Sequence, residues 1–242
     1  MAKVEKARNA LHRARAEADL RRRGHADIAR AVAVSYRAAP RPDVASWSER
    51  IEGERRRLHG ETAPLFDATV GVIARRDSSS KRRCQFMATL VAETKARSVV
   101  EMGTAVGISG AYLAAGLAVN GEGRLITLDL DPERHAVATT VFDALGLADR
   151  VEMRTGNFDD TYAQALADAA PIDILFIDGN HQHEPTIAYY EAARPHLRPG
   201  AVVIFDDIRW SDGMRAAWSA VKASDQTAVA ADLGPTGLVR VR

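Results

Sequence analysis

Residues 98–131 read SVVEMGTAVGISGAYLAAGLAVNGEGRLITLDLD. SVVEMG has the β-branched composition of a strand, GISGAYLAAGLAV that of a helix, and RLITLDLD that of a second strand. Gly103 and Gly107 stand in the strand-to-helix turn. There a missing Cβ lets backbone approach a ligand, and the helix N-terminus offers N–H groups to an anion. The second strand ends at Asp129, some two dozen residues beyond the turn, where a carboxylate can hold both hydroxyls of a ribose. An ordinary glycine turn is the plain alternative. The agreement of glycines, strand and acid favours a nucleoside with an anionic group nearby.

Outward from this unit the alternation continues. PERHAVATTVFDALG is a helix, VEMRTGN a strand, TYAQALADA a helix, IDILFID a strand and EPTIAYYEAARPHL a helix. AVVIFDDI, the helix DGMRAAWSAVKA, and the strands TAVAADL and GLVRVR follow. Strand–helix alternation predicts an α/β fold, a doubly wound parallel sheet with helices on both faces. The last two strands are separated only by Gly234, Pro235 and Thr236, too short for a crossover, so they should pair antiparallel. The expected architecture is a seven-stranded, mostly parallel sheet with an antiparallel C-terminal hairpin. Ligands in such sheets bind at the C-terminal strand ends.

Upstream, residues 3–38 have helical composition and AAPRPDVAS, 38–46, breaks it with two prolines. A second helical segment is expected over 47–75, a capping loop at 77–80, and a helix over 81–95. This predicts an α-helical N-terminal extension, 1–80, ahead of a core domain, 81–242. The extension is expected to cover the acceptor pocket or to build a homodimer.

The chain has 242 residues, 46% of them hydrophobic, enough for one substantial core or a core with an appendage. Net charge is +1, but residues 1–60 hold fifteen Lys/Arg against eight Asp/Glu. A basic arm could touch nucleic acid. Interleaved acids and the lack of an aromatic platform favour a solvated, packed helical segment instead, with no nucleic acid bound. There is no apolar run of 18 residues, so no membrane span is expected. The N-terminal stretch lacks the apolar run of a secretory signal, and the single cysteine, Cys84, fits a reducing compartment. A cytoplasmic protein is expected.

Several chemistries are disfavoured. The turn lacks the G-x-G-x-x-G dinucleotide fingerprint and the Gly-Lys-Ser/Thr of a P-loop. The short-chain dehydrogenase glycine pattern fails at Ser109, and Tyr189 and Tyr190 lack the lysine four residues on. No G-x-S-x-G nucleophile elbow exists.

EMGTAVGIS, with ITLDLDP, FIDGNH and FDDI downstream, resembles class I S-adenosylmethionine-dependent methyltransferases. It is most similar to the cation-dependent O-methyltransferases of the catechol and caffeoyl-CoA type, over residues 81–242. The resemblance implies a Rossmann-like core and S-adenosylmethionine as cofactor. It places Gly103 and Gly107 along the cofactor, Ser109 on its carboxylate, Asp129 on its ribose and Glu101 at its amino group. Gly156, Asn157 and Phe158 would border the adenine. In such enzymes a divalent cation, usually Mg2+, sits beside the donor, so Asp178, Asp206 and Asp207 would be metal ligands, Asp178 also bordering the cofactor. Asp207 stands where the catechol type carries Asn, which leaves the metal's identity open. A metal would lower the pKa of an acceptor hydroxyl and orient it. Asp178 and His181 are the candidate catalytic residues. His181 falls where that family has its lysine, and could take the hydroxyl proton; a surface-loop histidine is the competing reading. A zinc site at His181 and His183 would need further nitrogen or sulfur ligands. Trp210 either walls the acceptor or packs on the next helix, and Asn180 could contact cofactor or acceptor.

The expected activity is methyl transfer to a hydroxyl of a small-molecule acceptor, assisted by a divalent cation. The alternatives are a metal-independent methyltransferase, or a donor-sensing module that engages nucleic acid through the basic arm.

Overall fold

The computed structural model describes residues 2–242. Its first three helices are α1 (Ala2–Arg22), α2 (Ala26–Val34) and α3 (Pro42–His59). The single helix expected over 3–38 is broken at Gly24, whose φ of +83° ends α1 in a left-handed turn. Helix α3 starts earlier than expected because Pro42 sits at its first position, where a missing N–H costs nothing. A two-residue hairpin of β1 (Pro64–Leu65) and β2 (Ala68–Thr69) then interrupts the segment before α4 (Val70–Asp77).

The alternating core follows. It comprises α5 (Lys81–Thr94), β3 (Ser98–Met102), α6 (Ile108–Asn120), β4 (Arg124–Asp129), α7 (Pro132–Leu145) and β5 (Val151–Thr155). Next come α8 (Phe158–Ala169), β6 (Ile172–Ile177), α9 (His183–Ala193), β7 (Leu197–Phe205), α10 (Asp212–Ala223), β8 (Thr227–Asp232) and β9 (Gly237–Val241). The seven strands are ordered β5-β4-β3-β6-β7-β9-β8. The first five are parallel; β9 pairs antiparallel with β8, as the short connection between them requires, and also with β7.

Side-chain alternation builds two cores from one sheet. Val99, Ile174, Phe176, Val202 and Ile204 face a cluster shared with α5, α6 and α7. Their neighbours Val100, Leu175, Ile177, Val203 and Phe205 face α8, α9 and α10. Leu20, Ile28, Val32 and Ile51 belong to the same cluster as Leu90, Val91 and Tyr112. Helices α1–α3 therefore share the core rather than lying on it. Each such fully buried aliphatic chain contributes about 1.5–3 kcal/mol. The Tyr112 hydroxyl, inside this contact, meets Ser48 at 2.7 Å and donates to Glu52 at 2.9 Å.

The chain leaves central β3 for β4 on one side, and β6 lies on the other, so strand order reverses beside β3. Backbone bonds carry the ladder past the strand ends: Gly103 N–H to Leu128, Asp178 N–H to Met102, and Asp206 N–H to Ile177. The tips of β4, β3, β6 and β7 are thereby fixed side by side. Among the described residues no helix is long and apolar enough to cross a membrane.

Candidate active site

At these tips lies a cavity of about 450 Å3. Gly103, Ser109, Asp129, Asp178, Asp206 and Asp207 line it, with His181, Arg83 and Trp210. Among the described residues, three of the five non-glycine positions with positive φ flank it: Ala105 (+45°), Asn180 (+56°) and Asp207 (+50°). Such backbone is held only where its surroundings impose it, and it gathers at functional sites.

The glycine loop explains itself sterically. A Cβ on Gly103 would lie 2.4 Å from the Asp178 carbonyl oxygen, and its φ is +100°. Gly107 (φ +83°) starts α6, and a Cβ there would meet Ala138 at 2.9 Å; it lets the loop close onto α7 rather than lining the cavity. Asp129 accepts from the backbone N–H of Ala105 at 2.8 Å and of Asp131 at 3.1 Å, so it braces the glycine loop from the cavity's edge.

Glu101 is fully buried behind that loop. Its Oε2 accepts from the Thr127 hydroxyl at 2.8 Å; Oε1 is buried without a direct partner, with the Ser109 hydroxyl close enough to favour the carboxylate. Burial pushes its carboxyl up to about 7, against the hydrogen bonds that favour the charge. An orphaned carboxylate oxygen behind a glycine turn fits the amino group expected there from the donor. The chain Glu101–Thr127–Thr104 runs on to His135, whose ring meets Thr104 at 3.1 Å and Thr155 at 2.6 Å. Nothing in the sequence singled out His135, because its partners come from other strands.

Gly156, Asn157 and Phe158 occupy the β5–α8 turn. Gly156 N–H donates to the Asp129 carbonyl at 3.0 Å, and Asn157 caps α8 through Asp159 N–H. Phe158 packs on Gly179, where a Cβ would lie 2.5 Å from its ring. They sit beside the cavity, behind Asp129 and Asp178, without lining it.

On the other side, His181 Nε2 lies 3.6 Å from Asp178 Oδ1. Burial, and then the charge of Asp206, hold the Asp178 carboxyl well above its usual range; Asp207 is raised for the same two reasons. Trp210 lines the cavity but is 74% exposed, a wall of the site rather than core packing. His183 begins α9 and is not among the lining residues.

The expected magnesium ligands Asp178, Asp206 and Asp207 share the cavity, but one of them already has a cationic partner. Arg83, on α5, reaches in and forms an ion pair with Asp206. Only 22% of the Arg83 side chain is exposed. Burial opposes its charge, yet Asp206 and Asp178 outweigh that and hold it firmly protonated. A guanidinium thus takes up the carboxylate that a metal would need. Among the described residues no group of three His, Cys, Asp or Glu is arranged to hold a metal ion. Arg83 was not foreseen; the available signal was the run Lys81-Arg82-Arg83 opening a helix.

Residues 100–208 match the model of a methyltransferase domain. A catechol O-methyltransferase of Niastella koreensis is 35% identical over 132 residues, 54% of this chain and 58% of that protein. A catechol O-methyltransferase of Mycobacterium tuberculosis is 33% identical over 152 residues, 63% and 64%. The chain thus spans less than two thirds of the length of these relatives. The crystal structure of a Bacillus cereus O-methyltransferase in complex with S-adenosylhomocysteine superimposes with a TM-score of 0.63 at 26% identity, covering 86% of this chain and 95% of that one. The glycine turn, the strand-tip cavity and these likenesses agree: residues 100–208 are similar to a methyltransferase domain, and the Rossmann-like fold is similar to that of the O-methyltransferase solved with S-adenosylhomocysteine.

Proposed function

We propose that the protein transfers a methyl group from S-adenosylmethionine to a hydroxyl of a small molecule without a resident metal. The orphaned Glu101 oxygen beneath the glycine turn carries the donor half of this reading. The Arg83–Asp206 ion pair carries the metal-free half.

When bound, the donor supplies a methyl carbon on a positively charged sulfur, and the S–C bond breaks as the C–O bond forms. Glu101 binds the amino group and Ser109 the carboxylate of the donor. Asp129 holds the ribose with the lone pairs its two backbone bonds leave free. The hydroxyl proton passes to the Asp178–His181 pair, which faces the cavity at 3.6 Å separation. A histidine held beside a carboxylic group that faces the cavity is placed to accept it. Arg83 neutralises Asp206, so that the acidic tips do not repel an incoming oxyanion.

The rival is cation assistance, which the convergence of three carboxylates would favour once Arg83 moved away. Methyl transfer from labelled donor to hydroxylated aromatic acceptors, with EDTA and with added magnesium, separates the two. Equal rates under both conditions are expected. A rate abolished by EDTA and restored by magnesium would replace this reading with the metal-assisted one.

A further inference from the structure

Beside the strand-tip cavity lies a second one of about 360 Å3, walled by Arg13, Lys81, Arg82, Arg83 and Phe86, with no carboxylate in its lining. Ser80 and Arg83 line both cavities, so the two adjoin. Arg83 has Asp206 as its counter-ion. Arg13, Lys81 and Arg82 have no carboxylate within ion-pairing distance among the described residues; Arg13 and Arg82 are tied only to carbonyl groups, of Leu233 and Ser35, and of Val34.

This arrangement opposes local preference twice. Lys81, Arg82 and Arg83 form the first turn of α5, which has no acidic residue there. Cations at that end face the positive pole of the helix dipole, which disfavours them. Arg13, brought by α1, is half-buried against them: burial and then the charges of Arg83 and Arg82 lower its affinity for its proton. A fold that sets four cations around one cavity against helix dipole and mutual repulsion lacks only the anion that would relieve both.

We infer that this cavity is the acceptor's anion subsite: the methylated molecule carries a carboxylate or phosphate group that docks among Arg13, Lys81 and Arg82, while its hydroxyl enters the adjoining cavity. This rests on the methyl-transfer reading above and narrows its substrate class to anionic hydroxylated molecules. It also gives the basic N-terminal helix a task, since α1 supplies Arg13.

The test is calorimetry on the full chain saturated with S-adenosylhomocysteine, titrating catechol, 3,4-dihydroxybenzoate and inorganic phosphate, with wild type and the K81A/R82A double variant. Both substituted side chains are exposed, and their loss relieves the helix dipole, so the melting temperature should hold or rise. Wild type should bind 3,4-dihydroxybenzoate at least about tenfold more tightly than catechol, a preference the double variant loses. Competition by phosphate against the benzoate supports a subsite that takes either anion; binding of the benzoate alone supports a carboxylate subsite. Equal affinity for catechol and its carboxylate in wild type overturns the inference, as does a preference that survives K81A/R82A. So does displacement of S-adenosylhomocysteine by phosphate, because the cavity would then hold the donor's own carboxylate. If S-adenosylhomocysteine itself fails to bind, the methyl-transfer reading falls. The anion subsite is then decided separately, by whether phosphate binds wild type and not the double variant.

Discussion

The two halves of the strand-tip cavity are built on different principles. The donor half, around Gly103, Ser109, Asp129 and Glu101, works by backbone shape: glycines that admit close approach, and carboxylates braced by N–H and hydroxyl donors. The other half, around Asp178, Asp206, Asp207 and Arg83, works by charge, with raised carboxyl groups set against one buried guanidinium. A shape-built site tolerates few substitutions but can be read locally. In the charge-built half the buried Arg83 guanidinium is the counter-ion of Asp206, so the cation there is set by a side chain from α5 and not by the strand tips.

The comparison breaks most sharply at Asp178. Replacing it with Asn removes the partner of His181 and should lower kcat about a thousandfold, ~4 kcal/mol in the barrier. Stability at pH 8 should hold or rise, since burial and Asp206 already disfavour the Asp178 charge; steady-state rates beside thermal melts check both. Gly103→Ala attacks the shape-built half. With the Asp178 carbonyl 2.4 Å from the new Cβ, a loss of about 3 kcal/mol in unfolding free energy is expected from denaturant titration. The charge-built half is sharpened by Arg83→Ala, which strips Asp206 of its counter-ion. Added magnesium should then stabilise the variant by about 1–2 kcal/mol and leave wild type unmoved, as read from melting with and without EDTA.

The alternation of strand and helix from Ser98 to Val241, and the closing hairpin, were legible because each depends on periodicity and connection length within a few dozen residues. The placing of Gly103, Ser109 and Asp129 at one cavity was legible for the same reason: the first two belong to one strand–turn–helix unit, and Asp129 ends the next strand. Arg83 was hidden because its meaning comes from Asp206, 123 residues away. His135 was hidden because Thr104 and Thr155 meet it from the ends of two different strands, which no local pattern records; the basic cavity was hidden by distance, since Arg13 donates to Leu233 across 220 residues. The depth to which α1–α3 enter the core is likewise not visible in the sequence. Mixed charge makes α1 look solvated, while Ala16 and Leu20 are buried beneath its arginines.

Glu101 gives the most direct test of the claim that the strand tips seat the donor. Its carboxyl, ordinarily near 4.5, is held at about 7 by burial. In the free protein its contribution to stability is full below about 4.5 and is lost as the pH rises through 7. A bound ammonium reverses that balance by favouring the carboxylate. Titration of S-adenosylhomocysteine into wild type and Glu101→Gln, in EDTA at pH 6 and pH 8, should show one molecule bound per chain. Binding to wild type should be tighter at pH 8, and the variant should bind about tenfold more weakly there without that pH dependence. No heat of binding, or a variant that binds as tightly as wild type at pH 8, would contradict the account.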